Sequence, residues 1–292
     1  MSAAIKSSIV ENPVENSFNW QLWSRQVIAL LRLELKKTLF SRRAVLLYLL
    51  AALPLALLAI WVIAPKPFLD ADTGELLANA NEIFANLYAG LLLRTVVFFG
   101  SAWLFMNLFR GEIVDRSLHY YFLSPVRREV LVAGKYLSGL LAAMMIFGAM
   151  TVAAQLLFYL PLGAAARSAY FAGGPGFKHL LAYLGMTLLA CLGYGAAFLL
   201  MGLLFRNPVI PALLVYGWEW LNFLLPPLLK KISVTHYLNS LAPVPVAQGP
   251  FAITAEPTPA WLATLGLFIF TVVVLALAGW RARKMEISYG SE

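Results

Sequence analysis

The chain has 292 residues, of which 61% are hydrophobic and only 12% charged, with a formal net charge of +8. An ordinary soluble domain is roughly 45–50% apolar, so this composition excludes one. The single cysteine, Cys191, excludes an intrachain disulfide framework. The basic excess is of the kind that gathers on the cytoplasmic side of membrane proteins, rather than a nucleic-acid footprint.

The apolar residues are gathered in blocks near twenty long, the length of helix that crosses about 30 Å of hydrocarbon at about 1.5 Å per residue. The fold class expected is an all-α integral membrane protein with six transmembrane helices. Ahead of the first span, "FNWQLWSRQVIALLRLELKKTLF" (Phe18–Phe40) puts Gln21, Arg25, Arg32 and Lys36 on one helical face and Trp20, Trp23, Val27, Leu30 and Leu31 on the other. That pattern predicts a helix lying in the membrane interface. The spans follow at Ala44–Ala64, Tyr88–Phe109, Leu137–Leu160, His179–Phe205, Pro208–Leu229 and Trp261–Trp280. A cleaved leader is not expected, because the first apolar run starts late and is too long. The organisation expected is a cytoplasmic arm (1–43), a transmembrane domain (44–280) and a cytoplasmic tail (281–292). A coupling segment occupies 110–136, and an outside loop or re-entrant element 230–260.

Lys and Arg set the orientation. With the N-terminus inside, sixteen of them fall on the inner side and five on the outer, with Arg94 inside a span. Both termini are therefore expected in the cytoplasm. Pro54 predicts a kink in the first span. Gly139 and Ala143, Ala149 and Ala153, and Gly193 and Ala197 are small-residue pairs suited to close helix approach.

Two charges lie within predicted spans, each costing about 2.5–3.5 kcal/mol at the bilayer centre. Arg94 either pairs in the interior or snorkels to outer headgroups. Glu219, in "WEW", has three readings: it faces a polar path, pairs internally, or is protonated. The depths of the two residues permit them to pair.

The stretch "FRGEIVDRSLHYYFLSPVRREVLVAGKY" (Phe109–Tyr136) interrupts the apolar pattern with eight charged residues. Solvent explains the charges but not the aromatics of "SLHYYFLSP". Those fit either a protein-binding surface rimmed by charge or a short helix with its rings among headgroups.

Catalytic signatures are missing. No GxxxxGK[ST], HExxH, GxSxG or paired-cysteine metal spacing occurs, and His119, His179 and His236 fall in three separate segments. No enzyme activity, cofactor or metal is expected in this chain.

The charged stretch resembles the loop between the second and third spans of ABC-2 type transporter permeases. The similar features are Glu112 soon after the span, the "DRSL" step (Asp115, Arg116, Ser117, Leu118), the aromatics, and "SPVRREVLVAGKYLSG" with Pro125, Arg128, Gly134, Lys135 and Tyr136. Six spans, an interfacial helix and a semi-apolar loop before the last span are also similar. The resemblance implies that this loop is a coupling helix docking into a separate ABC ATPase subunit, which would explain the absent P-loop. Glu112, Asp115, Arg116, Ser117, Leu118, His119, Tyr120, Tyr121, Pro125, Arg128 and Lys135 then belong to the coupling region. It further implies a second permease chain (a homodimer or a close paralogue), ATP and Mg bound by the partner ATPase, and a bacterial or archaeal cytoplasmic membrane. The second and fifth spans would line a path, with Arg94, Phe98, Phe99, Trp103, Trp218, Glu219 and Phe223 as candidate residues.

The function expected is export of a hydrophobic or amphipathic substrate, driven by ATP hydrolysed in the partner. Its rivals are an ion-coupled secondary transporter or channel using Glu219, and an intramembrane enzyme or a non-transporting membrane scaffold.

Overall fold

The computed structural model describes residues 20–63, 73–114, 128–230, 233–246 and 258–284, and among these every regular element is helical. Helix α1 (Trp20–Phe40) bends at Ser41 into α2 (Arg42–Ile63). Next come α3 (Thr73–Leu87), a π-helical stretch (Tyr88–Val97) and α4 (Phe98–Val114). Helix α5 (Arg128–Tyr159) is followed by a short 3-10 turn, α6 (Gly163–Phe171) and α7 (Gly176–Leu204). The remainder is α8 (Val209–Trp220), a 3-10 turn (Leu221–Leu224), α9 (Pro227–Lys230), α10 (Val234–Asn239) and α11 (Ala260–Arg283).

Among the described residues, five helical stretches are long and apolar enough to cross a membrane: Arg42–Ile63, Thr73–Glu112, Arg128–Phe171, Gly176–Leu204 and Ala260–Arg283. The chain is an all-α membrane protein. The six predicted spans are not six such helices, and the fifth is the one that differs. Pro208–Leu229 folds as α8, only 12 residues long, then a 3-10 turn, a break and the four residues of α9. The break has a local cause. Leu225 precedes Pro226-Pro227 and is extended, with ψ 146°, because a proline ring disfavours the helical conformation in the residue before it.

The second and third spans are longer than their apolar cores suggest. α3 begins within the predicted outer loop, and α5 starts nine residues before Leu137. In the π-helical stretch Thr95 Oγ1 donates to Gly90 O at 3.0 Å, five residues back, as the widened turn requires.

Helices α5 and α7 form the centre of the bundle, with α4 packed along α7, and α1 and α2 along α5. Only 22% of the apolar window of α2 and 33% of that of α11 is buried, against 61% for α7, so α2 and α11 carry the outward-facing apolar surface. Gly202 allows the closest approach between α7 and α4: a Cβ there would lie 2.8 Å from Met106 O and 3.1 Å from Met106 Cα. Gly139 likewise admits Leu108, Leu104 and Phe105 of α4 against α5. The predicted Ala149–Ala153 pair packs nothing comparable, since Ala149 is exposed.

Gly202→Ala is expected to destabilise the bundle by about 1–3 kcal/mol, because backbone rather than a flexible side chain must move. Gly185→Ala, whose Cβ meets nothing within 4 Å, should leave stability unchanged or slightly raised. Thermal unfolding in detergent micelles of the two variants beside the parent checks both.

Candidate functional site

A buried ion cluster joins three helices at one end of the bundle. Lys135 lies two turns into α5 and is fully buried. Its Nζ donates to Glu34 Oε1 of α1 at 2.7 Å and to Glu112 Oε1 of α4 at 2.7 Å. Lys37 of α1, 45% exposed, donates to the same Glu112 oxygen at 3.0 Å. Among the described residues, two ammoniums thus face two carboxylates. The Phe109 ring lies 5.5 Å from Lys135 Nζ, within cation–π range. Glu112 Oε2 is buried without a hydrogen-bond partner. Such a network is firm because breaking one arm strands a charge in a dry interior, at a cost of about 3–5 kcal/mol.

Nearby, the start of α5 is tied to the end of α11. Arg128 Nη1 donates to Ala282 O at 3.1 Å and Arg283 O at 2.8 Å, satisfying C-terminal carbonyls of α11. Glu129 pairs with Arg283. The loop residues 115–127 lie outside the described part of the chain, and with them the predicted coupling residues Asp115, Arg116, Ser117, Leu118, His119, Tyr120, Tyr121 and Pro125. The two helices that flank the loop are tied together, since Glu112 before it and Lys135 after it bond directly to each other. Of the predicted coupling residues that are described, Glu112 and Lys135 are interior groups and Arg128 is half-buried against α11. They position the loop rather than offer themselves at its surface.

Glu34 and Lys37 escaped sequence reasoning. Glu34 is the sole acid in Phe18–Phe40, and it continues the apolar face through Val27 and Leu31. An acid on the apolar side of an amphipathic helix is the signal of a buried cation partner. The other face matches expectation, with Arg25, Arg32 and Lys36 exposed, but Ile28, Leu33 and Phe40 are exposed beside them.

A second polar centre holds Glu219. It sits at the end of α8 and is only 3% exposed. Ser233 Oγ donates to its Oε2 at 2.6 Å, the Val234 N–H to Oε1 at 3.0 Å and the Thr235 N–H to Oε2 at 3.0 Å. The carboxylate therefore caps α10 from outside that helix, where a helix N-terminus favours negative charge. Of its predicted roles, the internal pairing is met by backbone and hydroxyl donors. Arg94 is not its ion-pair partner: it is half-buried in the π-helical stretch, with its Nε unpartnered.

This bonding also defines the 230–260 region. Val234 packs at Gly193 of α7 together with Leu267 of α11. Leu267 lies seven residues inside α11, about 10 Å along its axis. Within the described part of the region, α10 packs against both α7 and α11. Tyr194 Oη and Thr235 Oγ1 lie 3.1 Å apart and link α7 to α10.

The predicted path residues part company. Phe98 and Phe99 of α4 pack on Tyr216 of α8 at ring distances of 5.2 and 4.6 Å. Phe98 is buried in this cluster with Tyr194 and Phe198. Trp103 and Trp218 are 38% and 36% exposed, and Trp103 Nε1 donates to Arg43 O at 3.3 Å. The Phe223 side chain lies outside the described residues. Histidines 179 and 236 are held by Tyr170 and Thr258 respectively, and the described residues contain no group of three metal-ligating side chains.

No family model matches the chain, and no curated protein matches it. The class that the fold and these two centres define is a helical membrane protein in which buried carboxylate–ammonium pairs tie the flanks of the charged loop to the amphipathic helix.

Glu219→Gln replaces an acceptor by an amide NH2 facing an N–H donor, so α10 should loosen. Amide exchange at Val234–Asn239 is expected to accelerate by about tenfold or more, since an unsatisfied buried group costs about 1–3 kcal/mol. Exchange within the core of α7 should stay at the parent rate.

Proposed function

We propose that the chain is the transmembrane permease subunit of an ATP-driven ABC exporter, moving a hydrophobic or amphipathic substrate with energy from a separate ATPase subunit. The observation that supports this reading best is the cluster of Lys135 with Glu112 and Glu34. It pins the helices on both sides of the charged, aromatic loop to each other and to α1. A push delivered to residues 115–127 then reaches α1, α4 and α5 together instead of being absorbed by slack chain. This is what a coupling helix needs from its permease. The unpartnered Glu112 Oε2 leaves one acceptor for a loop donor when the two states exchange.

In this reading, the rings of Tyr120 and Tyr121 dock in the ATPase, and Asp115, Arg116 and His119 flank them. ATP and Mg are bound by that partner. A second permease chain completes the working unit, in the cytoplasmic membrane of a bacterium or archaeon, with both termini inside. α8 with the segment 221–230 makes the sixth crossing as a broken helix. Partly exposed Trp103 and Trp218 face the second protomer or the path, and Phe98 stiffens Phe99 from behind. Two global states with different ATPase contacts supply the driving force for the outward opening.

The tagged chain, gently extracted from its native membrane in the presence of a trapping nucleotide, should carry a stoichiometric P-loop ATPase detectable by mass spectrometry. Tyr120→Asp with Tyr121→Asp should strip that partner without altering the thermal stability of the permease. Full retention of the ATPase by the double variant would contradict the docking role of these tyrosines. A preparation free of any ATPase, in detergent and in lipid nanodiscs alike, would contradict the permease reading.

A further inference from the structure

At the elbow between α1 and α2 a cleft of about 260 Å³ opens beside the ion cluster. At about 30 Å³ per water in the liquid, it has room for roughly nine waters, or for a phosphodiester with the first carbons of a chain. One wall is basic, with Lys37, Arg42 and Arg43, and the other is apolar, with Leu47, Trp103 and Leu104. We propose that this cleft binds one anionic phospholipid, its phosphodiester on the basic wall and an acyl chain along the apolar one.

Four observations carry the assignment. First, the described lining is rich in basic groups: it holds Lys37, Arg42 and Arg43 beside Glu34 and Glu112, and both acids are bonded to Lys135 behind them. An ammonium has three donors, and Lys37, 45% exposed, spends one on Glu112. Second, the Arg43 guanidinium lies over Gly111, where a Cβ would come 2.2 Å from its Nη1, so the basic wall reaches across to α4. Third, the elbow is closed by a turn at the start of α2, the Ala44 N–H donating to Ser41 O at 2.9 Å, which sets Arg42 and Arg43 beside the cleft. Fourth, α2 is long and apolar enough to cross a membrane and begins at Arg42, so the proposal sets Arg42 at the level where headgroup gives way to hydrocarbon. The cleft straddles that level, with charge on one side and Leu47 and Trp103 on the other.

A second, shallower groove on the outer side of α1 shares Lys37 and Ser41 with the cleft and adds Arg32 and Lys36. The exposed basic residues of α1 thus extend the same field along the interface. The apolar wall is what selects a lipid over free phosphate, which has no use for it. The assignment does not depend on the transport reading.

The test uses the full chain in mixed micelles holding equal amounts of palmitoyl-oleoyl phosphatidylglycerol and palmitoyl-oleoyl phosphatidylcholine, with retained lipids counted by native mass spectrometry. The parent should retain phosphatidylglycerol over phosphatidylcholine by about thirtyfold, the preference that two basic residues near an anionic headgroup supply. Arg42→Gln with Arg43→Gln should bring the ratio below about twofold, and Arg42→Lys should preserve it. Asn107→Trp, which fills the cleft and keeps every charge, should also abolish retention, so the test does not rest on one variant folding. A ratio near one in the parent overturns the proposal. So does a preference untouched by both the charge and the filling variants, which would mark annular lipid only. Inorganic phosphate raising the melting temperature of the parent as much as phosphatidylglycerol does would overturn the lipid source in favour of a soluble anion.

Discussion

An ammonium with no access to water cannot be left alone, and Lys135 is such an ammonium. Its two carboxylate partners come from α1 and α4, at 2.7 Å each. That one requirement fixes where the amphipathic helix sits, how far α4 extends before its loop begins, and the rotation of α5 about its axis. Without Glu34, α1 would keep the half-exposed Lys37–Glu112 contact and an apolar stripe but lose its buried tie to α5. A buried ion pair specifies register more than it adds stability. Here the register concerns the two flanks of the charged loop and the helix preceding the first span.

Glu219 applies the same rule with neutral donors. An isolated buried carboxylate is costly, and the chain meets the cost with donors brought back from residues 233–235. The break at Pro226-Pro227 and the return of α10 work together: Leu225 before the prolines is extended, which ends the 3-10 turn after α8, and the carboxylate holds the returning chain in place. Both centres are assembled from residues on different helices.

The fold class was legible because apolar runs near twenty residues have few alternatives in a chain that is 61% hydrophobic. The limits of α7 and α11 were legible to within a few residues for the same reason. The fifth span was not, because average hydropathy does not register a backbone break. Pro226-Pro227 is visible as a helix stop, but α8 has already ended at Trp220. In the candidate site, Glu112 and Lys135 stood out through the loop pattern. Glu34 did not, because one acid among basic and apolar residues reads as an ordinary interfacial charge until its face is considered. The tie between Glu219 and α10 was beyond reach. It depends on backbone N–H groups, which carry no sequence signature, and on chain closing over the 14 residues from Glu219 to Ser233. Arg94 was a possible partner by charge and by its similar expected depth, and neither shows which way a side chain points.

Lys135 and Glu34 act as one unit that locks α1 to α5, and a double-mutant cycle of Glu34→Gln and Lys135→Met on unfolding free energy in detergent tests this most directly. Lys135→Met alone should cost about 3–5 kcal/mol, because two carboxylates stay buried without it. The double variant should be more stable than the sum of the single effects implies, by about 1–3 kcal/mol. Effects that add within about 0.5 kcal/mol would show that the two residues do not act together, and would contradict the lock.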